Sequence, residues 1–266
     1  IIKDIASKIS VDNIPVIDAD FHFVTPPFVD SHFHMDATLS YGLPRVNKSG
    51  TLLEGIKLWG ELKPNLTADA IKERALKFCK WAIARGTLAI RSHVDVSGQN
   101  LVGVEALLDV REQMKDFIDI QLVAFPQDGL LRANCLDNLE AALDMGVDVV
   151  GGIPHFERTM EEGHESIRIL CEIAEKRGLL TDLHCDETDD PMSRHVEILA
   201  RETTRLGLKG RVAGSHLTSM HSLDNYYFTK LISLLVEADL NIIANPLINI
   251  TIQGRQDNYP KRRGLT

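Results

Sequence analysis

The amino-acid sequence predicts an α/β protein, a (β/α)8 barrel in which parallel strands alternate with covering helices. The first observation is that short apolar, β-branched segments alternate regularly with amphipathic segments of helical period. The second is that polar residues close successive apolar segments about 30 residues apart, the length of one strand–helix unit. The third is that no GxGxxG or P-loop motif follows the first strand, which disfavours nucleotide-binding open sheets. An open doubly wound sheet is the alternative architecture.

The first 27 residues are predicted to form a small β appendage. Segments 1–9 and 14–24 have the composition of short strands, and turn residues separate them. The barrel domain is predicted to occupy residues 28–266. Its strands are predicted at residues 28–34, 87–96, 119–127, 148–155, 179–187, 211–217 and 241–247.

The helices are predicted from apolar residues that recur on one face. The clearest helix covers residues 67–85, where Thr67 can cap the first turn and Asp69 suits the positive end of the helix dipole. Gly86 ends this helix, and glycines end two later helices in the same way. Nearly continuous apolar strands between such helices indicate a parallel sheet that is covered on both faces.

The number of predicted strands is one short of the eight that close such a barrel. The sequence begins at Ile1 rather than at Met, and it stops just after a basic cluster at residues 261–263. We therefore expect an eighth strand beyond Thr266 in the natural gene, so that residues 28–266 form a barrel truncated before that strand.

The composition excludes several classes of protein. Of the 266 residues, 44% are hydrophobic and 25% are charged, a balance that excludes collagen-like, disordered and membrane-spanning chains. The net charge of −9 disfavours binding to nucleic acids or to anionic membranes. Four cysteines without a CxxC pair favour reduced, buried thiols in a cytoplasmic protein. We expect a small-molecule substrate, no nucleic-acid or membrane partner, and a homo-oligomer.

Histidines mark the strand ends at which barrel enzymes place their chemistry. His32 and His34 alternate along the first strand, so both side chains face the same side and suit a divalent cation. His184 ends the fifth predicted strand, and His216 lies at the end of the sixth. Glu187 follows on the loop, where a carboxylate can reach a bound water as general acid or base. These residues predict a metal-dependent hydrolytic site with three imidazole ligands and an open position.

Several motifs resemble those of the bacterial cytosine deaminases within the amidohydrolase superfamily, and they cover nearly the whole chain from residue 26 onward. The opening motif is PPFVDSHFHMD at residues 26–36. The others are RSHVDV at 91–96, VAFPQ at 123–127, IPHFE at 153–157, HCDE at 184–187, SH at 215–216, MHS at 220–222, ANPL at 244–247, QGR at 253–255 and YPKRRG at 259–264.

The resemblance implies a role for each matching residue. It implies that His32, His34 and His184 bind the metal, and that Glu187 carries protons between water and the ring. It implies further that His216 holds and polarises the water. Two residues are implied to contact the substrate: Gln127, whose amide suits a lactam edge, and Leu52, which gives an apolar contact.

Two departures from the family pattern limit what the resemblance implies. The family's last metal ligand is an aspartate after the eighth strand, and the sequence stops before it. The fourth predicted strand contains no lysine, which disfavours the binuclear relatives that carry a carboxylated lysine. We therefore expect one divalent ion, Fe(II) or Zn(II), since both accept imidazole and carboxylate ligands.

The predicted activity is the hydrolysis of cytosine to uracil and ammonia. One alternative keeps this chemistry on another amino-heterocycle: isoguanine, a modified cytosine, a creatinine-like lactam or an aminotriazine. A second alternative is a truncated barrel without catalytic activity.

The other histidines have weaker interpretations. His155 is predicted to pack or hydrogen-bond at the rim, because its HxE match lacks the PCxxC motif of the zinc-finger-like deaminases. His93 and Asp95 are predicted either to orient the metal ligands or to serve the structure alone. Four further histidines are expected to face solvent: His22, His164, His195 and His221.

Overall fold

Seven strands, each followed by a helix, form the framework of the protein, for which a computed structural model describes residues 4–9 and 13–255. The strands are β1 (Phe28–Phe33), β2 (Thr87–Asp95), β3 (Asp119–Phe125), β4 (Val149–Gly152), β5 (Leu180–Cys185), β6 (Val212–His216) and β7 (Asn241–Ile243). The helices are α1 (Leu52–Leu62), α2 (Ala68–Ala84), α3 (Val102–Met114), α4 (Cys135–Asp144), α5 (Met160–Arg177), α6 (His195–Arg205), α7 (Asn225–Ala238) and α8 (Pro246–Ile252). Short 3-10 turns cover Lys63–Asn65, Pro154–Phe156 and Thr218–Ser222.

The sheet curves into a nearly closed barrel. Each strand pairs in parallel with its neighbours in sequence, in the order β1 to β7. In a flat sheet β1 and β6 would lie about 24 Å apart, because neighbouring strands are about 4.8 Å apart. Instead, Nδ1 of His32, on β1, lies 3.1 Å from Oγ of Ser215, on β6. This contact confirms the predicted barrel and excludes the open doubly wound sheet.

The barrel has the seven strands that the sequence predicts. Within residues 4–9 and 13–255, no eighth strand joins β7 to β1. Residues 256–266, which include the basic cluster at 261–263 and the YPKRRG motif, lie outside the described residues.

Helix α2 shows how the sequence pattern becomes a packed layer. The side chain of Thr67 accepts a hydrogen bond from the amide of Ala70 at 3.3 Å, so the predicted N-cap is confirmed. Ile71, Ala75 and Cys79 of this helix are buried against the sheet. Burying one large aliphatic side chain stabilises a fold by about 1.5–3 kcal/mol. The apolar face thus holds α2 beside the strands that carry the histidines.

Several predicted strands end earlier than expected. Strand β4 stops at Gly152, because Pro154 has no amide hydrogen to donate and begins a 3-10 turn. His155 therefore lies in that turn and not in a strand. Strand β7 stops at Ile243, and Pro246 begins helix α8. The predictions of strands to residues 155 and 247 are wrong.

The segment before the barrel does not form the predicted strands. Residues 4–9 and 13–27 contain no strand, and apolar side chains such as Ile17 and Phe21 are exposed. A strand persists only when its amide and carbonyl groups pair with a neighbour, and these residues make no such ladder. Residues 1–3 and 10–12 lie outside the described residues, and a separate unit before residue 28 stays a prediction.

All four cysteines are buried, as the sequence predicts, and they are free thiols. Among the described helices, none is long and apolar enough to cross a membrane.

Candidate active site

Five histidines meet inside the barrel at the C-terminal ends of its strands. His32 and His34 come from β1 and the residue after it, His93 from β2, His184 from β5 and His216 from β6. The centroids of neighbouring rings are 4.4–5.5 Å apart. Parallel strands present their carboxyl ends at one rim, so residues far apart in the chain converge there. The four histidines that the sequence placed together do lie together.

The ring nitrogens are spaced like the ligands of one cation. The Nε2 atoms of His34 and His184 are 3.1 Å apart, and those of His32 and His216 are 3.2 Å apart. Two nitrogens bound tetrahedrally to one metal at about 2.1 Å would lie about 3.4 Å apart. Two trios bring one nitrogen per ring within 4.8 Å of each other: His32 with His184 and His216, and His32 with His34 and His93. Each trio contains two of the three predicted ligands, and neither contains all three.

Unpartnered nitrogens in this cluster also fit a bound cation. Among the described residues, nothing forms a hydrogen bond to Nδ1 of His184 or to either ring nitrogen of His93. A buried polar atom without a partner costs about 1–3 kcal/mol of stability. A divalent ion or the water around it would remove that cost, and imidazole suits both iron and zinc. The donor set therefore fits the expected metal.

Burial keeps these imidazoles in the form that binds metals. Desolvation lowers the pKa values of His32, His34 and His184 well below the usual value, and the neighbouring histidines lower them further. At neutral pH these rings are uncharged, and each offers a lone pair on one nitrogen.

The buried carboxylate of Asp182 supports the histidine cluster through hydrogen bonds. Oδ1 of Asp182, on β5, accepts a hydrogen bond from Ser215 at 2.8 Å, and Ser215 lies 3.1 Å from His32. Arg91 donates to Oδ2 of Asp182 at 2.9 Å. Burial would raise the pKa of Asp182, but His93, whose Nε2 lies 3.7 Å from Oδ1, and the hydrogen bond and charge of Arg91 hold it below its usual value. Asp182 thus fixes the orientation of His32 through Ser215.

Glu187 lies beside His216 in the same buried region. Its Oε1 atom is 3.1 Å from Nδ1 of His216. Desolvation raises the pKa of Glu187, although His216 and a hydrogen bond from Asn249 partly oppose the rise. The backbone of His216 has a positive φ of 75°, a strained conformation of the kind that clusters at functional sites. A carboxyl group with a raised pKa is suited to carrying a proton.

The loop that carries Glu187 is held by its neighbour Asp186. This buried carboxylate accepts hydrogen bonds from Ser193, from Val196, and from the amide and ring of His195, at 2.7–3.0 Å. The prediction that His195 faces solvent is therefore wrong. A carboxylate satisfies the free amides at the N-terminus of α6, and this draws His195 inward.

Two adjoining cavities open beside the histidines. The first, of about 420 Å³, is lined by residues that include His34, Leu52 and Gln127. The second, of about 330 Å³, is lined by residues that include Leu52 and Glu187. A cavity of about 550 Å³ at the opposite end of the strands contains none of the histidines, so its larger size does not mark it as the site. Leu52 belongs to both of the cavities at the histidine end.

Two residues of this region, Asp182 and Asn249, were not predicted from the sequence. Asp182 lies two residues before His184 and therefore faces the same side of β5, a signal that the alternation of the strand could have provided. Asn249 lies on α8, whose position the sequence analysis assigned partly to a strand. The ring nitrogen of Trp59, on α1, donates a hydrogen bond to Asp95 at 2.6 Å beside the first cavity.

Comparison with known proteins gives a consistent set of relatives. A model described as Amidohydrolase family matches residues 15–266. N-isopropylammelide isopropyl amidohydrolase from Pseudomonas sp. (strain ADP) is 34% identical over 213 residues, which cover 75% of this chain and 51% of the relative. Pterin deaminase from Rhizobium rhizogenes is 28% identical over 247 residues, which cover 91% of this chain and 56% of the relative.

A solved structure gives a stronger similarity. The crystal structure of 5-methylcytosine deaminase from Klebsiella pneumoniae, liganded with phosphonocytosine, is similar with a TM-score of 0.89 and 45% identity. The match covers 91% of this chain and 59% of that one. The chain therefore spans between half and three-fifths of the length of these relatives.

Proposed function

The chain belongs to the Amidohydrolase family, and on that premise we propose that the natural protein is a metal-dependent hydrolase that deaminates cytosine or a closely related aminopyrimidine. The resemblance to the amidohydrolase superfamily is thereby confirmed. The substrate is the subject of the proposal, and the similarity to 5-methylcytosine deaminase supports an aminopyrimidine.

The two adjoining cavities, both lined by Leu52, are the observation that carries this proposal. His34, Leu52 and Gln127 line one cavity, and Leu52 also borders the cavity beside Glu187. The amide of Gln127 offers a donor and an acceptor side by side, which matches the edge of a lactam ring. Leu52 offers an apolar surface for the flat face of such a ring. A heterocycle bound between these two residues would place a ring carbon near the histidines.

The metal would be held by His32, His34 and His184, and either Fe(II) or Zn(II) suits these nitrogens. When bound, the cation supplies Lewis acidity, which lets water furnish a nucleophile near neutral pH. Asp182 fixes one of these ligands, since it orients His32 through Ser215.

The proton transfers would be performed by Glu187 and His216. Glu187 takes the proton that water loses as its oxygen adds to the ring carbon that bears the amine. It gives this proton to the ring nitrogen, then takes the remaining proton of the added hydroxyl and gives it to the amine, which leaves as ammonia while the hydroxyl becomes the carbonyl. His216 holds the water and stabilises the charge that develops in the transition state. Water is consumed, and cytosine becomes uracil.

A second candidate substrate is an alkylaminotriazine. The 34% identity to N-isopropylammelide isopropyl amidohydrolase, over 75% of this chain, supports it. A triazine presents a similar lactam edge, so Gln127 alone does not separate the two rings.

The test is an amine-release assay on the full-length natural protein that contains this chain, loaded with Fe(II) or Zn(II). The panel contains cytosine, 5-methylcytosine, N-isopropylammelide, pterin, isoguanine and creatinine. We expect the highest kcat/KM for cytosine or 5-methylcytosine. A preference for N-isopropylammelide would establish the second candidate. If the metal-loaded protein releases amine from none of them, the proposal is wrong and a non-catalytic barrel is favoured.

A further inference from the structure

Asn249 is a fully buried polar residue between the two groups proposed to move protons. It lies on α8 and is 0% exposed. Its Nδ2 atom donates to Oε1 of Glu187 at 2.9 Å, and its Oδ1 atom lies 3.1 Å from Nδ1 of His216. A single amide therefore contacts both side chains.

These contacts determine which nitrogen of His216 carries the proton. An ionised carboxylate only accepts hydrogen bonds, so the amide must turn its NH2 group to Glu187 and its oxygen to His216. Nδ1 of His216 then faces two acceptors at 3.1 Å, the oxygens of Asn249 and Glu187. The Nδ2 atom of Asn245 is farther away, at 3.4 Å. The proton therefore resides on Nδ1.

The consequence appears on the other side of the ring. With the proton on Nδ1, Nε2 of His216 carries the lone pair. That atom lies 3.2 Å from Nε2 of His32, within the histidine cluster. The basic nitrogen of His216 thus points to the place where water would react.

Packing alone does not account for an asparagine at this position. Asparagine is a poor helix former, and an apolar residue of similar size could fill a buried site without any need for hydrogen-bond partners. Asn249 also makes the ordinary backbone hydrogen bonds of α8, so its side chain is not needed to complete the helix.

We infer that Asn249 is a positioning residue: its amide fixes the Nδ1–H tautomer of His216 and holds the carboxylate of Glu187 beside that ring. The inference concerns the same site and rests on the proposed function for its catalytic consequence. Its structural part, the tautomer of His216, does not depend on which substrate the protein takes.

The first measurement is 15N NMR of the histidine side chains in the full-length natural protein, in zinc-loaded and metal-free forms. A His216→Gln variant assigns the signal. We expect Nδ1–H in the wild-type protein in both forms. In metal-free Asn249→Ala we expect a mixture of tautomers, whereas Asn249→Asp retains the acceptor and should retain Nδ1–H. A proton on Nε2 in the metal-free wild type would overturn the inference.

The second measurement separates positioning from general loss of structure. We expect Asn249→Ala to lower kcat about 10- to 100-fold with little change in KM, because Asn249 acts on groups that act on the substrate. Asn249→Asp should lower kcat as well, since it keeps the acceptor for His216 but repels Glu187. The control is Asn138→Ala, which removes a half-buried amide that donates to the carbonyl oxygens of Val96 and Gly98.

The outcomes are distinct. Asn138→Ala should lower stability and leave both kcat and the tautomer of His216 unchanged. Equal loss of kcat in Asn138→Ala and Asn249→Ala, with an unchanged tautomer in both, would show that Asn249 is merely structural and would overturn the inference. If the wild-type protein turns over no substrate, the proposed function fails, while the NMR result still decides the tautomer.

Discussion

His184 and Glu187 lie three residues apart, but their surroundings give them different tasks. His184 is buried with its Nε2 atom 3.1 Å from that of His34, the spacing of two metal ligands. Glu187 instead contacts Nδ1 of His216. One residue is thus suited to holding a cation, and the other is suited to moving protons.

Replacing each residue separately should distinguish these tasks. We expect Glu187→Gln to keep its metal and lose about 10²–10⁴-fold in kcat, because glutamine preserves size but cannot titrate. His184→Asn, in contrast, should lose metal and activity together, because one nitrogen ligand is missing. Metal content per chain and the deamination rate of the full-length protein measure both effects. Loss of metal from Glu187→Gln would contradict the assigned role.

Gln127 should affect the recognition of the substrate rather than the chemical step. We expect Gln127→Glu to lower kcat/KM for cytosine about 10- to 100-fold, since a donor to the ring edge is replaced by a second acceptor. Gln113→Glu, the same change on the exposed face of α3, is the matched control and should have no effect. Steady-state kinetics at several substrate concentrations would show the change mainly in KM. An unchanged kcat/KM would remove Gln127 from the proposed substrate site.

Among the elements, β4 is the strand in which a larger side chain would be hardest to accommodate. It is short and buried, and it ends in Gly151 and Gly152. A Cβ atom added to Gly151 would lie 2.5 Å from the carbonyl oxygen of Ala124 on β3. Since that neighbour is backbone, no side-chain rotation could relieve the overlap. Glycine here allows β3 and β4 to lie close together at the middle of the barrel.

The substitution Gly151→Ala should therefore destabilise the protein by about 1–3 kcal/mol, the usual cost of overpacking a core. Gly60→Ala is the matched control, because Gly60 lies in α1 and a Cβ there meets no atom within 4 Å. We expect that control to stabilise the helix by about 0.5–1 kcal/mol, since alanine loses less backbone entropy. Urea unfolding of both variants measures the difference. A neutral Gly151→Ala would contradict the described packing.

The elements could be predicted from the sequence only as far as local patterns determine them. The position of α2 followed from Thr67 and from its apolar face, and the seven strands followed from their apolar segments. The ends of β4 and β7 were missed because a proline just beyond each strand, Pro154 or Pro246, ends the pairing earlier than the apolar pattern does. The inward position of His195 was missed because it depends on the carboxylate of Asp186, a contact that periodicity does not encode.

The histidines were predictable as a group for a different reason. A parallel barrel brings every strand end to one rim, so His32, His34, His184 and His216 could be placed together from strand order alone. The position of Asn249 could not be predicted from strand order, because it depends on how α8 packs over the rim after Pro246. Which residue bridges two others is a property of packing and not of order along the chain.

For the whole molecule, the buried histidines should make stability depend on pH. Desolvation lowers the pKa values of His32, His34 and His184 well below 6.5, and it lowers that of His155 to about 4. In the unfolded chain these histidines would bind protons near pH 6.5. The unfolded state therefore binds more protons below that pH, and acid favours unfolding.

We expect the free energy of unfolding of the metal-free protein to be highest above pH 6.5 and to fall as the pH decreases toward 5. The loss should be on the order of 1 kcal/mol per buried histidine at one pH unit below 6.5. Asp36 opposes this, because burial raises its pKa to about 7, and burial also raises the pKa values of Asp30, Glu157 and Glu187, which reduces the net loss. Urea midpoints from pH 5 to 8 measure the trend.

A variant pair identifies the groups responsible for this trend. His155→Gln removes one buried titrating ring and should make the dependence on pH less steep. His22→Gln replaces an exposed histidine and should leave the slope unchanged. Stability that is constant between pH 5 and 7 would show that the rings are not held uncharged by burial.

The distance in sequence between His32 and His216 has a consequence for the order of events during synthesis. The two rings are in contact, yet 184 positions separate them. A nascent chain that has emerged only through β4 presents His32, His34 and His93, and it lacks the nitrogens of β5 and β6. The proposed ligand set, His32, His34 and His184, is complete only when β5 has joined the sheet. A cation held by that set would therefore bind after most of the strands have formed, and it would stabilise an advanced stage of assembly rather than start it.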